Sequence, residues 1–400
     1  MKKDWTYKKL GEVCDFISDG DWIEKKDQSI SGIRLIQTGN IGVGRFIPKD
    51  DSQKFISEET FKRLKCCEIF EGDVLISRLP NPLGRSCILP KLGTRCITAV
   101  DCTILRLKED TILPDLFLYY TQSQGYFTKI DGESSGTTRA RITRKKLEET
   151  TIPLPPLSEQ SRIVSRLDAA FGEIEGLKAK AEAQLREART LFQAALTQEM
   201  KPKQGWEEKK LKEIGTTQTG TTPSKTDKDN YGDFIPFIRP SEIDYDGCGS
   251  IKYDSEIKLS EKGLSNGRLF KAGSILMVCI GATISKVGVT SEDVSCNQQI
   301  NVLNPKQEYD SKFIYFAMRN EDFKQKVIKE GTSSQATLPI INKGKWENLS
   351  LSLPPLPVQQ SIVSRLDALS EKVRELEEAQ KKVIAECDAL KQALLREVFE

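Results

Sequence analysis

The chain has 400 residues, with 60 Lys and Arg against 58 Asp and Glu, a net charge of +2 and no histidine. Length suggests two or three domains, and the apolar content is that of a soluble globular protein. Lack of histidine excludes a Ser-His-Asp triad, Cys-His catalysis, a His-metal nuclease and the usual zinc finger, while near-neutrality means that any nucleic-acid surface must arise by segregating charge. No G-x-x-x-x-G-K-[ST] loop or dinucleotide fingerprint is present. Met1-Lys-Lys-Asp-Trp5 has no apolar signal core, and the longest apolar run, Ile275–Ile280, is too short for a bilayer. The ten cysteines include no C-x-x-C, so they read as reduced thiols in a cytoplasm, with no metal bound.

Trp5-Thr-Tyr-Lys-Lys-Leu-Gly-Glu-Val13 opens the chain and is matched by Trp206-Glu-Glu-Lys-Lys-Leu-Lys-Glu-Ile214. After the first copy, strand-like runs lie near Ile33–Gln37, Asp73–Ser77, Cys87–Leu89 and Cys102–Leu107, punctuated by Gly, Pro and Asn. Leu113–Thr128 reads as an aromatic-rich helix. Next comes Leu154-Pro-Pro-Leu-Ser-Glu-Gln-Ser-Arg-Ile-Val-Ser-Arg-Leu-Asp-Ala169, which recurs at Leu353–Ala368 with 12 of 16 positions identical. The Pro pair forbids helix before it and a heptad pattern follows it, with Ser158 as the expected N-cap and Pro357 in a first turn.

The first seam carries Ile163, Leu167, Ala170, Ile174, Leu177, Ala181, Gln184, Ala188, Leu191 and Ala195. The second carries Ile362, Leu366, Leu369, Val373, Leu376, Gln380, Val383, Cys387, Leu390 and Leu394. Heptads over this length argue for a coiled coil, read here as the two helices pairing within the chain. The second half repeats the order, with strands near Ile235–Arg239, Ser274–Ile280, Lys286–Thr290 and Ile300–Leu303 and a helix over Asp310–Glu330. Repetition divides the chain into 1–153, 154–200, 201–352 and 353–400: globular region, long helix, globular region, long helix. Two copies are a domain duplication, not a solenoid. The globular halves keep their landmarks and diverge between them, as expected where a scaffold is kept and recognition loops change.

This order, with its doubled P-P-L-x-x-Q-x-x-I-V-S-R-L-D, resembles the DNA specificity subunit of type I restriction–modification systems over the whole chain. Val358 departs from the first copy's Glu159, which affects only local capping. The resemblance implies an α+β fold: two mixed α/β target-recognition domains alternating with two long helices that pair as an antiparallel coiled coil. It further implies a non-catalytic chain that reads a split site in double-stranded DNA. Two modification subunits would dock on the helices and bring S-adenosylmethionine, no cofactor being bound by this chain, and motor–nuclease restriction subunits would join them.

The most suggestive DNA-binding stretch is Gly136–Leu147, with Thr137, Arg139, Arg141, Arg144, Lys145 and Lys146 and no acid. Its counterpart, Gly331–Leu338, keeps hydroxyls and an amide (Ser333, Ser334, Gln335) and loses the charge. Strand ends supply Arg34, Thr38, Asn40, Arg78 and Arg85, then Arg239, Ser241, Lys286, Asn297, Gln298 and Gln299. Arginines suit guanine edges and amides suit adenine. Two other readings stay open: the recognition part of a nuclease or methyltransferase with its own active site, and a coiled-coil protein scaffold. Glu24-Lys25-Lys26 is close to a metal-nuclease E-x-K, but no Pro-Asp partner precedes it.

Overall fold

In the computed structural model, residues 4–134, 140–244, 249–254, 256–332 and 339–400 are described. The chain forms two compact units, 1–181 with 382–400 and 182–381. Each unit therefore combines one globular region with part of both long helices, Leu157–Glu199 and Leu356–Phe399. No helix among the described residues is long and apolar enough to cross a membrane.

The same scaffold underlies both units. In the first, an antiparallel four-stranded sheet has the order Cys14–Asp19, Cys102–Leu107, Val74–Ser77, Ser86–Ile88. In the second the order is Gly215–Thr219, Ile300–Pro305, Ile275–Val278, Val287–Val289, again antiparallel. Runs such as Val74-Leu-Ile-Ser77 and Ile275-Leu-Met-Val278 are buried at every position, so they read as continuous rather than alternating apolar stretches. A two-stranded ladder, Thr6–Lys9 with Thr151–Leu154, ties the start of the first region to its end, and Glu207–Lys210 with Ser350–Leu353 repeats it. These ladders escape sequence reading because Thr-Tyr-Lys-Lys and Glu-Glu-Lys-Lys have no apolar alternation. Beyond the shared sheet the units differ: the first carries five short strands including Ile33–Ile36 and Cys96–Thr98, the second three around Tyr231–Ile238.

The aromatic-rich helices are each two helices. Pro114–Tyr120 ends at a turn, and Ser123 restarts the chain as Gln124–Gly132 by accepting from the Tyr126 N–H at 3.2 Å. Asp310 caps Ser311–Arg319, and extended backbone at Asn320 separates it from Glu321–Thr332.

The first long helix begins two residues earlier than a Ser158 cap would set, and the second holds Pro357 in its first turn as expected. The Pro156 carbonyl accepts from the Glu159 and Gln160 N–H groups at 2.8 and 2.9 Å, and Pro355 does the same for Val358 and Gln359. Ser158 is thus an exposed first-turn residue. The repeated glutamine is the anchor that sequence reading missed. Gln160 is fully buried, its amide donating to the Thr111 and Pro155 carbonyls and its carbonyl accepting from the Leu113 N–H, all within 2.9 Å. Gln359 likewise donates to the Pro354 carbonyl and accepts from the Asp310 N–H. Each glutamine clips the start of a long helix to the loop before the aromatic-rich helices.

The helices run antiparallel in each unit. Arg166–Glu397, Glu175–Lys391 and Lys178–Asp388 link them in the first; Arg189–Glu377 and Glu199–Arg365 link them in the second. At the helix ends the apolar seam is shared with the globular region. Ile163 and Leu167 pack with Leu116, Leu395 and Val398, with Leu394 alongside. Ile362 and Leu366 pack with Phe313 and Trp346, with Leu369 and Val373 at the margin. Ile174 is buried and Val383 half-buried.

Four expected seam leucines face outward: Leu177, Leu191, Leu376 and Leu390 are 53, 61, 37 and 49% exposed. Their C-terminal neighbours, Lys178, Phe192, Glu377 and Lys391, turn inward instead. One row of the heptad stays inside, through Leu167, Ile174, Ala181 and Ala188, and through Leu366 and Cys387 with half-buried Val373 and Gln380 between them. A straight helix drifts by about 20° per heptad, so one row of the heptad stays buried while the other turns outward.

Candidate nucleic-acid interface

Because the four-stranded sheets are antiparallel, one edge of each collects the ends of alternate strands. In the first unit this edge gathers Asp19, Arg78, Arg85 and Asp101. Gly20 sits there because a side chain would overlap the Thr98 and Ala99 carbonyl oxygens; Gly220 lies in the same way against Cys296 and Asn297. Matching backbone hydrogen bonds fix the correspondence. Arg78 N–H to Asp101 O equals Cys279 N–H to Gln299 O, both 2.8 Å, and Ser77 N–H to Arg85 O equals Val278 N–H to Lys286 O, both 2.9 Å. Arg78, Arg85, Lys286 and Gln299 thus lie on one equivalent edge, with Arg34, Thr38 and Asn40 on the adjoining sheet and turn.

Position on that edge does not make them all available. Arg85 is 9% exposed, and its guanidinium donates to five carbonyls: Ile41 (2.7 Å), Thr38 (2.8 Å), Leu79 and Pro80 (2.9 Å), and Pro82 (3.0 Å). It is an internal clamp on two loops, not a base reader, and burial lowers its pKa from the usual arginine value. Arg78 is 5% exposed, donates to the Val100 carbonyl and lies 3.5 Å from Asp19; burial lowers its pKa too. Arg34 is buried against Phe46 and donates to the Pro48 carbonyl. Asn40, also buried, accepts from the Gln37 N–H and donates to the Ile47 carbonyl, both at 2.9 Å, closing the turn that holds half-buried Thr38. Desolvated polar groups need partners, and loop carbonyls supply them here. These buried side chains shape the loops rather than face a ligand.

Other candidates remain at the surface. Arg141 pairs with Asp101 at 2.8 Å and Arg144 with Glu148 at 3.1 Å, so acids remote in sequence or a turn away temper the basic stretch. Lys145 is exposed, and Lys146 donates to the Glu133 carbonyl. Thr137, Arg139, Ser333, Ser334 and Gln335 lie outside the described residues. In the second unit, Arg239 forms a two-point pair with buried Glu242, which also accepts from exposed Ser241. Burial raises the Glu242 carboxyl pKa, but hydrogen bonds from Arg239 and Ser241 outweigh it and leave the group below its ordinary value.

Asn297 and Gln299 bond to each other at 3.0 and 3.1 Å, and exposed Gln298 accepts from Thr222. Lys286 occupies the backbone position of Arg85, yet its side chain is half-buried and bonds to no other described residue. Sequence reading also missed Lys49 and Lys54, exposed beside Thr38 and Asn40 in one hollow, because two aspartates between them mask the charge.

Among the described residues, no cluster of three or more Cys, Asp or Glu is placed to hold a metal ion. Glu24 pairs with Lys26 at 2.6 Å on an exposed turn. Burial pushes the Cys14, Cys66, Cys87 and Cys102 thiols up to about 12, which keeps them protonated near neutrality.

The comparisons fit this duplicated architecture. The family model for the type I restriction modification DNA specificity domain matches twice, at residues 2–186 and 203–386. The type I restriction enzyme HindI specificity subunit of Haemophilus influenzae is 27% identical over 40% of this chain and 35% of its own length. EcoBI of Escherichia coli is 24% identical over 70% of this chain, which spans 64% of that relative. StySPI of Salmonella potsdam is 23% identical over 94% of this chain and 84% of its own. One chain from a solved structure, concerned with complex assembly and conformational transition of the type I R-M system, superposes with a TM-score of 0.75. It covers 100% of this chain and 98% of that one at 21% identity, a likeness of fold. Matched twice along its length, the chain belongs to the type I restriction modification DNA specificity family.

Proposed function

We propose that this protein is a non-catalytic DNA-reading subunit in which each globular region recognises one half of a split double-stranded site. The observation that supports it is the equivalent edge of the two four-stranded sheets. There two matching backbone hydrogen bonds hold one frame, while the side chains left accessible beside it differ in charge and type: Arg141 paired with Asp101 in the first unit, Lys286 and Gln298 in the second. Base edges are read by side chains presented from a fixed frame, so a constant frame with exchanged side chains gives two readers of different sequence. In this reading the helix pair carries the protein partners: two modification subunits, which hold S-adenosylmethionine, and the motor–nuclease restriction subunits.

The test is binding-site selection from random duplex DNA by the chain assembled with its modification subunits. Two conserved half-sites separated by an indifferent spacer are expected. A single continuous site, or no selection above random DNA, would reject the reading, and the second outcome would leave a protein scaffold. Methyl transfer by the isolated chain would overturn its non-catalytic part.

A further inference from the structure

The offset that carries Leu154 onto Leu353 also carries Lys178 onto Glu377 and Arg189 onto Asp388. These four residues make two ion pairs, one in each unit. Lys178 Nζ lies 2.7 Å from Asp388 Oδ1, and Arg189 Nε lies 2.6 Å from Glu377 Oε1. Under the repeat they are the same pair position with the signs exchanged: both cations lie on the first long helix and both acids on the second. The pairs at the helix ends lack this asymmetry. Arg166 with Glu397 and Arg365 with Glu199 use the same repeat arginine on a glutamate near the far end of the opposite helix.

A duplicated helix can pair with its own copy in a second chain as readily as with its repeat. In either arrangement a glutamate lies within one residue of the position facing each end arginine. The inner pairs would not form between like helices. Two first helices in this register would set Lys178 against Arg189, and two second helices would set Glu377 against Asp388 and Lys391 against Arg374. Glu377 is 1% exposed, so it would be buried beside another carboxylate without its guanidinium. Like charges across a helix seam oppose pairing, and a buried charge that loses its partner is strongly destabilising. We infer that the sign-exchanged inner pairs, Lys178–Asp388 and Arg189–Glu377, commit each long helix to the other helix of the repeat and exclude a second copy of itself.

The test uses the full-length chain and sedimentation velocity over a concentration series. In Lys178→Glu with Glu377→Lys, both pairs within the chain become repulsive, while the same pair position becomes attractive in both like-with-like pairings. Self-association should strengthen roughly tenfold or more over the unmodified chain. Adding Arg189→Glu and Asp388→Lys restores opposite charges within the chain and repulsion between copies, so association should return to the starting level. Lys178→Glu alone leaves the Arg189–Glu377 pair in place and should shift association in the same direction, by less. Unchanged association of the double variant would overturn the inference. So would a fourfold variant that associates as the double one does, or aggregation of the double and single variants alike, since the pairs would then only hold the fold.

Discussion

Arg85 and Lys286 occupy one backbone position and do opposite things, which makes them a sharp pair for mutation. Arg85→Ala strands five loop carbonyls and should cost roughly 3 kcal/mol, as removal of a charged hydrogen-bonding group does. Chemical denaturation measures it, and an unchanged midpoint would remove the clamp. Lys286→Ala should leave stability within about 0.5 kcal/mol. If Lys286 meets a phosphate, its loss weakens binding to all DNA alike and reduces the salt slope by about one. An unaltered slope in a fluorescence-anisotropy salt titration would take Lys286 off the DNA. Buried Gln160 holds three backbone groups, so Gln160→Leu should destabilise by roughly 1–3 kcal/mol.

Among the elements, the long helices bury one row of the heptad and expose part of the other. Leu366 is 1% exposed and Leu376 is 37% exposed. Leu366→Asp should therefore cost about 3 kcal/mol or more, and Leu376→Asp less than about 1. Equal losses in thermal unfolding would restore the heptad seam. Acid should loosen the same helices. Hydrogen bonds from Lys391 to Glu175 and from Arg365 to Glu199 hold both carboxyls below the ordinary glutamate value of 4.5. Because the folded-state pKa is the lower one, the stabilisation is complete above 4.5 and disappears as pH falls through the depressed values. Both pairs are partly exposed, so the effect is small. The fall in melting temperature from pH 6 to pH 3 should be smaller for Arg365→Gln than for the unmodified chain; identical falls would show that the pair does not govern it.

At the scale of the whole molecule, two units built on one scaffold predict modular reading. Replacing residues 15–150 by the matching region of another family member should change one half-site and leave the other intact in site selection. A change in both would mean that the units do not read independently. The exchange preserves Gln160 and the ladder strand Thr151–Leu154, the points where the region is fastened to the rest of its unit.

Duplication, the two long helices and the buried strands of the shared sheet were legible in the sequence. Each rests on a local signal: a repeated Pro-Pro-helix start, apolar residues at helical spacing, and unbroken apolar runs. Ladder strands such as Thr6–Lys9 were not, because they are polar and formed by partners about 150 residues away. The same limit governs the candidate site. Composition identified Arg34, Arg78 and Arg85 as cations near strand ends, but only packing decides that loop carbonyls surround them. It likewise sets Asp101 beside Arg141 and Glu377 beside Arg189, pairs far apart in the chain. Helix period could be read from residue spacing, yet which heptad row stays inside becomes visible only when a partner surface covers one stripe. Sequence determined which elements form because that depends on near neighbours; which charges remain available depends on residues that folding brings together.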